Sequence, residues 1–500
     1  MGNKSNNNRK KFFKEDLNAN VSNKSTDMKE KVQIQLKIEN SDLSNEYYIK
    51  VFSLENQNEK FMYETEKLKG KNGILEFQTT FILDYFFECE QSLIFKIYKD
   101  NKEKIINTTL GTIVGQRGNC LHKKIIDSEK EIINITALQK ISIDESKGTH
   151  LFIRFYVVDD EKIKGLKFDD INNKFYYKII NKTDLYRSED LSNNGTFLPI
   201  RIPLTFLSPN FTITFYNMKN IQLMTLNEIT IESIINMNDT TLPLILGNKT
   251  INILLHSDYR NKITFLDYLE NNLEIGLGIS IDFTGSSYKL HNVSNGKSDY
   301  EKAIEACGKI LAVYDSDQRF PVWGFGATNV GFYNENCFPI NFKNNPEIYS
   351  IKGVIDQYHE CLKRIDLSGP TYYAESMKNF VSEVKKQKGN KYNILLFLTD
   401  GENSDMNKTK DIICEAAKLP ISIIIVGLGN HSFTNMIILD GDDEPLTDSN
   451  GKKCERDIVQ FVPFNKYEND PNRLAKEVLA EIPFQVIDYY QSKGIDPEDL

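Results

Sequence analysis

The chain of 500 residues has one tryptophan, six histidines and seven cysteines, and their spacing forms no familiar catalytic or zinc-binding pattern. Cys89, Cys120, Cys307, Cys337, Cys361, Cys414 and Cys454 are scattered, odd in number and contain no Cys-x-x-Cys. That argues against a disulfide framework or a zinc site and favours a reducing cytosol. No His-Glu-x-x-His, Walker loop, kinase signature or Cys/His-rich RING pattern is present, so the usual motif-borne routes to catalysis are missing. No signal-peptide pattern opens the chain, and no apolar run approaches the ~18–20 residues of a membrane span. A secreted protein is therefore not expected. Net charge is −9 with a pI near 5.5, which disfavours a broad nucleic-acid-binding surface. The single Trp323 is read as a residue buried beside a sheet, not as a lipid anchor.

What is present looks globular. Hydrophobic residues make up 40% and charged residues 26%, the ordinary range, and the length calls for two to four domains. Asparagine is abundant throughout, so Asn-x-Ser/Thr matches are discounted as glycosylation sites. Residues 1–30 are polar and read as a disordered basic segment. Within the first fourteen residues Lys4, Arg9, Lys10, Lys11 and Lys14 are unopposed by any acid, and Gly2 follows Met1, which raises N-myristoylation. Asn6 stands where that motif has Ser or Thr, so a merely solvated start is the competing reading. If acylated, one chain binds membranes only marginally, and a basic cluster adds up to ~1 kcal/mol per charge on an anionic leaflet.

From Lys31 the apolar pattern has period two: Val32, Ile34, Leu36 and Ile38, then strands at Tyr47–Leu54, Ile74–Leu83 and Ser92–Tyr98. A second block carries strands at Leu151–Val158, Lys174–Ile180, Phe211–Tyr216 and Thr250–Leu255. Ile97-Tyr98 and Phe215-Tyr216 occupy like positions, so the blocks read as diverged repeats, two β-sandwiches over 31–146 and 147–261. Over 262–495 the character changes. Leu273–Asp282 alternates apolar residues with Gly276, Gly278 and Ser280, a small-residue face that lets a helix approach closely. Asn393–Asp400 and Ile421–Gly427 are near-continuous apolar runs, as in strands buried on both faces of a parallel sheet. Helical patterns alternate with them, opened by the capping box Ser298-x-x-Glu301 and by Asp470-Pro471. Together these specify a multidomain chain of two all-β sandwiches followed by a doubly wound, Rossmann-like α/β domain.

In such a sheet ligands bind at the carboxyl ends of the strands. Asp282 ends one strand and Asp400 another, and Thr284 and Ser286 follow Asp282 at alternate positions. Hydroxyls beside few carboxylates suit a small hard cation, Mg²⁺ or Mn²⁺, and leave it under-neutralised, so that an incoming carboxylate completes the octahedron. Asp-x-Thr-x-Ser is also a turn-and-cap sequence, the bland reading. Thr371, in Ser-Gly-Pro-Thr, and Asp400 in the right order favour the metal. Asp440-Gly441-Asp442-Asp443-Glu444 is no EF-hand, because Pro445 stands where that loop needs glycine.

Residues 262–495 resemble the von Willebrand factor A-like domain of copines. The resemblance rests on Phe265-Leu266-Asp267-Tyr268, the Asp282 loop, Tyr314-Asp315-Ser316-Asp317, Phe320-Pro321, Gly324-Phe325-Gly326-Ala327 and Gly369-Pro370-Thr371. It continues through Leu439-Asp440-Gly441, Arg456–Phe464, Asp488-Tyr489-Tyr490 and Lys493-Gly494. Copines place two C2 domains before this module, which matches the sandwiches in order and size. The resemblance implies that Asp282, Thr284, Ser286, Thr371 and Asp400 are the residues of a metal-ion-dependent adhesion site. It also implies calcium-dependent phospholipid binding coupled to protein recruitment, the work of a cytoplasmic signalling and membrane-trafficking adaptor peripheral at the cytosolic face of the plasma membrane. Its expected partners are an anionic phospholipid membrane and a protein offering an acidic residue, with no nucleic acid.

The calcium loops depart from that pattern. A C2 site clusters aspartates after a Tyr-ended strand, because Ca²⁺ takes six to eight oxygens. After Tyr98 the chain has Lys99-Asp100-Asn101, and after Tyr216 it has Asn217-Met218-Lys219. A lysine there repels the ion by about 1 kcal/mol even in water at ~4 Å. Asp42, Glu46, Asp169 and Asp170 remain in the earlier loops without completing a set. Calcium at the sandwiches is thus expected to bind weakly or not at all, leaving the N-terminus to supply membrane affinity. No enzymatic activity is expected: a haloacid-dehalogenase-like phosphotransferase needs Asp-x-Asp, and Thr284 stands at the second position. A structural scaffold with an empty metal site is the other alternative.

Overall fold

The alternation at Val32, Ile34, Leu36 and Ile38 forms a strand (Glu30–Glu39) that buries all four side chains. In the computed structural model, residues 30–500 are described except 42–44, 56, 70–72, 101, 126–130, 140–149, 159–173, 182, 194, 208, 248, 261–262, 294–295, 332–336, 402, 442–443 and 468–469. Gly2 and the basic cluster, Asp42, Asp169 and Asp170, and the Asp442-Asp443 pair lie outside the described residues.

The described chain divides into two units. One combines Asp27–Lys140 with Phe265–Tyr489; the other combines Ile141–Thr264 with Tyr490–Asp499. In the first, Glu30–Glu39 pairs antiparallel with Ile132–Gln139, Ile74–Glu76 and Phe81–Tyr85, and Cys120–Lys124 completes the sheet. The facing sheet runs Asn58–Glu64, Glu46–Glu55, Ser92–Lys99 and Lys102–Thr109, with Leu68–Lys69 at one side. The stretch read as one strand, Ile74–Leu83, is two, and both pair with Glu30–Glu39 along different parts of its length. In the second unit, Ile200–Pro203, His150–Val157, Lys249–Arg260 and Thr240–Leu246 form one antiparallel sheet, and Thr183–Arg187, Phe175–Asn181, Phe211–Asn217 and Gln222–Ile229 the other. Their inner faces meet in an aromatic-rich core of Phe155, Tyr177, Phe197 and Phe215. Asp496 Oδ2 makes a largely buried ion pair with Arg201 at 3.0 Å in the same unit.

The α/β part of the first unit is built on five parallel strands: β1 (Glu274–Asp282), β2 (Arg319–Phe325), β3 (Lys391–Thr399), β4 (Ile421–Gly427) and β5 (Val459–Pro463). Their spatial order is β2-β1-β3-β4-β5, with Phe338–Pro339 and Glu347–Tyr349 added antiparallel to β2. β4 is buried at every position, as its unbroken apolar run required. Helix α1 (Asp299–Leu311) opens on the capping box, Ser298 Oγ accepting from Glu301 N while Glu301 Oε2 accepts from Ser298 N at 2.8 Å. Helix α2 (Ile351–Leu362) is capped by Ser350. Helix α3 (Ala374–Lys386) lies on the small-residue face of β1: Ser280 Oγ meets Ser376 Oγ at 2.6 Å, and a Cβ on Gly278 would stand 2.5 Å from the Phe380 ring. Trp323 is buried in β2 against Phe380. Asp470 caps the helix that begins at Pro471.

Cys414, on helix α4 (Met406–Ala416), is disulfide-bonded to Cys454, with Cα atoms 4.6 Å apart. This bridge corrects the expectation of no disulfide, which rests on cysteines that are scattered, odd in number and without Cys-x-x-Cys. Cys414 and Cys454 are separated by 40 residues and meet only through the fold.

Candidate metal site

A strand order of 2-1-3-4-5 reverses direction between β1 and β3, and the crevice at that reversal, outside the carboxyl ends, is where such sheets bind ligands. Asp282 is the last residue of β1, and Asp400 immediately follows β3. The topology thus delivers both carboxylates to one crevice. Both are fully buried.

Asp282 is held by hydroxyls. Its Oδ1 accepts from Thr284 Oγ1 at 2.6 Å and from Thr284 N at 2.9 Å, and its Oδ2 accepts from Thr399 Oγ1 at 2.8 Å. Thr284 Oγ1 is 3.0 Å from Ser286 Oγ, so the alternate positions do present their oxygens together. Thr284 sits against Gly326, whose φ of +79° and absent Cβ make room for the threonine methyl. Thr371 is buried on the adjoining loop, where its carbonyl accepts from Ser404 N at 2.9 Å. The Thr371 hydroxyl makes no hydrogen bond to the other four residues. Asp405 fastens this loop to the one after β3: its two oxygens accept from Tyr373 N and Ala374 N at 3.0 and 3.2 Å.

Asp400 is different. Neither of its carboxylate oxygens has a hydrogen-bond partner. A buried, unpaired carboxylate beside a second carboxylate is strongly disfavoured unless a cation compensates it. The Asp282 carboxyl is pushed up to about 6, by burial first and by Asp400 second. Among the described residues no group of three or more His, Cys, Asp or Glu is placed to hold a metal. Two carboxylates with the hydroxyls of Thr284 and Ser286 instead give an oxygen-only, weakly charged lining, which fits a hard divalent cation that keeps several waters.

Thr399 and Asp405 escaped sequence reasoning. Thr399 directly precedes Asp400 at the end of an apolar run, and its hydroxyl orients Asp282. Behind the site, the ring of His291 contacts the Asp282 carbonyl at 2.9 Å and the Tyr358 hydroxyl at 2.8 Å. Burial holds this imidazole down to about 4, so it is neutral at physiological pH.

The residues set aside for calcium are otherwise engaged. Asp100, at φ 43° in the turn after Lys99, has its Oδ1 accepting from Glu46 N at 3.0 Å, at the start of the neighbouring strand. Lys99 Nζ pairs with buried Glu131 at 2.7 Å. Asn217 Oδ1 accepts from Lys219 N and Ile221 N, both at 2.9 Å. Asp100 and Lys99 thus tie their loop to neighbouring strands, and Asn217 closes its own turn.

A doubly wound α/β domain with an oxygen-lined, carboxylate-bearing crevice at its switch point, preceded in the chain by two antiparallel sandwiches, is the class that the fold defines. The family model described as Copine matches residues 289–498. Copine-C of Dictyostelium discoideum is 32% identical over 482 residues, 87% of this chain and 88% of its own length. Copine-E of the same organism is 34% identical over 471 residues, 84% of this chain and 78% of its own. The chain belongs to the copine family. Among solved structures, manganese-loaded Plasmodium vivax TRAP protein is similar over 39% of this chain and 70% of its own, with 13% identity and a TM-score of 0.26, too low to carry a structural inference.

Proposed function

We propose that this copine is a non-enzymatic, membrane-associating adaptor that holds a protein partner through a bridging metal ion. Asp282, Thr284, Ser286, Thr371 and Asp400 carry Mg²⁺ or Mn²⁺, and the partner's carboxylate completes the coordination. The observation that carries this reading is Asp400, fully buried with both oxygens unpaired beside Asp282. The two C2-like sandwiches and the N-terminal basic segment meet anionic phospholipid at the cytosolic face of a membrane, with little calcium dependence. Family membership supports the lipid half, and the engagement of Asp100 by Glu46 N and of Asn217 within its own turn supports the weak calcium response. Among the described residues no helix is long and apolar enough to cross a membrane, which fits peripheral attachment.

The test uses the full chain. Mg²⁺ or Mn²⁺ raises the thermal midpoint of wild type and leaves that of Asp400→Asn unmoved. In metal-free buffer Asp400→Asn matches or exceeds wild type, because an uncompensated buried charge has been removed, a gain on the order of 1–3 kcal/mol. A wild type indifferent to both metals leaves the scaffold with an empty site as the better reading. Sedimentation with anionic liposomes tests the membrane half: binding that disappears with a calcium chelator and survives deletion of residues 2–14 contradicts it.

A further inference from the structure

Asp282 and Asp400 are delivered by the ends of β1 and β3, but Thr371 stands on neither strand. Its place beside the carboxylates depends on what holds its loop. Thr371 O accepts from Ser404 N, and Asp405 accepts from Tyr373 N and Ala374 N. These bonds reach neither carboxylate of the site. The Tyr373 side chain makes a different connection. It is fully buried immediately before α3, with its ring against Phe325 and Phe397 at centroid distances of 5.6 and 4.7 Å. Its hydroxyl lies 2.6 Å from Thr399 Oγ1.

The proton inventory of Thr399 Oγ1 fixes the direction of each bond. A threonine hydroxyl has one proton and two lone pairs. The proton goes to Asp282 Oδ2, an acceptor at 2.8 Å. One lone pair accepts from Gly401 N at 3.2 Å. The other accepts from the Tyr373 hydroxyl, and the oxygen is then saturated. A single buried atom thus joins the Asp282 carboxylate, the backbone that follows Asp400, and the residue two places beyond Thr371. Packing alone does not ask for this hydroxyl. The ring belongs to an apolar cluster with Phe325, Met377 and Phe397, where phenylalanine fills nearly the same volume. A buried hydroxyl is costly unless bonded, so the bond to Thr399 accounts for its presence.

We propose that Tyr373 is a positioning residue of the cation site: by donating to Thr399 Oγ1 it registers the Thr371 loop against Asp282 and Asp400. A divalent cation then meets Thr371 and the two carboxylates as one set. This role rests on the metal-bridging function proposed above and adds to it a residue outside the expected five. Without the hydroxyl, Thr399 keeps its bonds to Asp282 and Gly401, and both carboxylates stay in the crevice. What is lost is the side-chain tie that carries the Thr371 loop to them.

Mn²⁺ is titrated into the full chain at constant ionic strength, with free Mn²⁺ followed by electron paramagnetic resonance. Tyr373→Phe weakens binding by about tenfold, the lower end of the loss that follows removal of an outer-shell partner. Thr371→Ala weakens it too, and the double variant binds no more weakly than Thr371→Ala alone, because Tyr373 acts through Thr371. A merely structural loss would multiply the two effects. Tyr392→Phe removes another buried hydroxyl, bonded to Ser422 Oγ at 2.8 Å near the opposite end of β3, and leaves Mn²⁺ binding unchanged. A second readout needs no metal. In metal-free buffer, deuterium uptake in peptides containing Thr371 and Gly401 is several-fold faster in Tyr373→Phe than in wild type or Tyr392→Phe. Equal Mn²⁺ affinity in wild type and Tyr373→Phe, multiplied losses in the double variant, an equal loss in Tyr392→Phe, or unchanged uptake overturns the proposal while the metal site stands. A wild type that binds no Mn²⁺ overturns the metal-bridging function itself, and this role with it.

Discussion

At the scale of single residues, the α/β part of this chain keeps two carboxyl groups whose burial no protein partner fully compensates, Asp400 and Asp315, one at each end of the sheet. Asp315 has a consequence for stability against pH. Burial, aided by Asp317 and opposed by Lys391, pushes its carboxyl up to about 6 from an ordinary value of 3.8. As pH rises from about 4, the unfolded chain releases this proton first while the native state still holds it. The native state then binds more protons than the unfolded one, so this group's contribution to stability falls as pH climbs and levels off above about 6. Replacing Asp315 by Asn removes that slope. Urea unfolding followed by Trp323 fluorescence, with the tryptophan in the adjacent strand β2, should show Asp315→Asn gaining on wild type between pH 4 and 7 by on the order of 2 kcal/mol. Curves that stay parallel across that window would show that Asp315 ionises normally in the fold.

At the scale of elements, legibility followed locality. The capping box at Ser298, the Asp470-Pro471 start and the doubly buried strands β3 and β4 were readable because each is decided within a few neighbouring residues. So was the small-residue face of β1, where Gly278 and Ser280 admit α3, although Gly276 makes room for Lys391 and Asn393 of β3 instead. Of the five residues expected to hold a metal, Asp282, Thr284 and Ser286 meet through hydrogen bonds and Asp400 follows β3, while Thr371 is joined only through its loop backbone. What stayed hidden depends on partners distant in sequence: the pairing of Cys414 with Cys454, the Thr399 hydroxyl turned onto Asp282, and the break between Ile74–Glu76 and Phe81–Tyr85. The helix face gives a direct test. A Cβ on Gly278 meets the Phe380 ring at 2.5 Å, so Gly278→Val must displace α3. Overpacking of this kind costs about 1–3 kcal/mol. The loss should appear as a lower unfolding midpoint and as faster amide exchange across Ala374–Lys386. Equal exchange in α3 for the Gly278 variant would mean that the ring yields without moving the helix.

At the scale of the molecule, the unit that joins Asp27–Lys140 to Phe265–Tyr489 is held by a compact aromatic and glycine contact. Tyr85 and Tyr314 share a buried hydroxyl hydrogen bond at 2.7 Å, Phe87 packs on both Phe265 and Tyr314, and Glu30 accepts from Phe265 N and Leu266 N. The contact depends on glycine: a Cβ on Gly115 would lie 2.6 Å from the Val313 carbonyl, and one on Gly111 2.8 Å from the Tyr314 hydroxyl. Tyr314 directly precedes Asp315, and α1 runs from the Ser298 cap, bonded to Tyr358 at 3.2 Å, down to this contact. A backbone collision has no rotamer to relieve it, so Gly115→Val must separate the sandwich from the α/β sheet rather than compress a side chain. In wild type, amide exchange under increasing urea should expose Glu30–Glu39 and β1 at one common concentration, as expected of elements in one cooperative body. In Gly115→Val the sandwich strand should open first, with β1 following at a higher concentration close to its wild-type value. Coincident opening in the variant would refute the glycine contact as the joint. A β1 that opens early with the sandwich would show that the α/β sheet draws its stability from the contact as well.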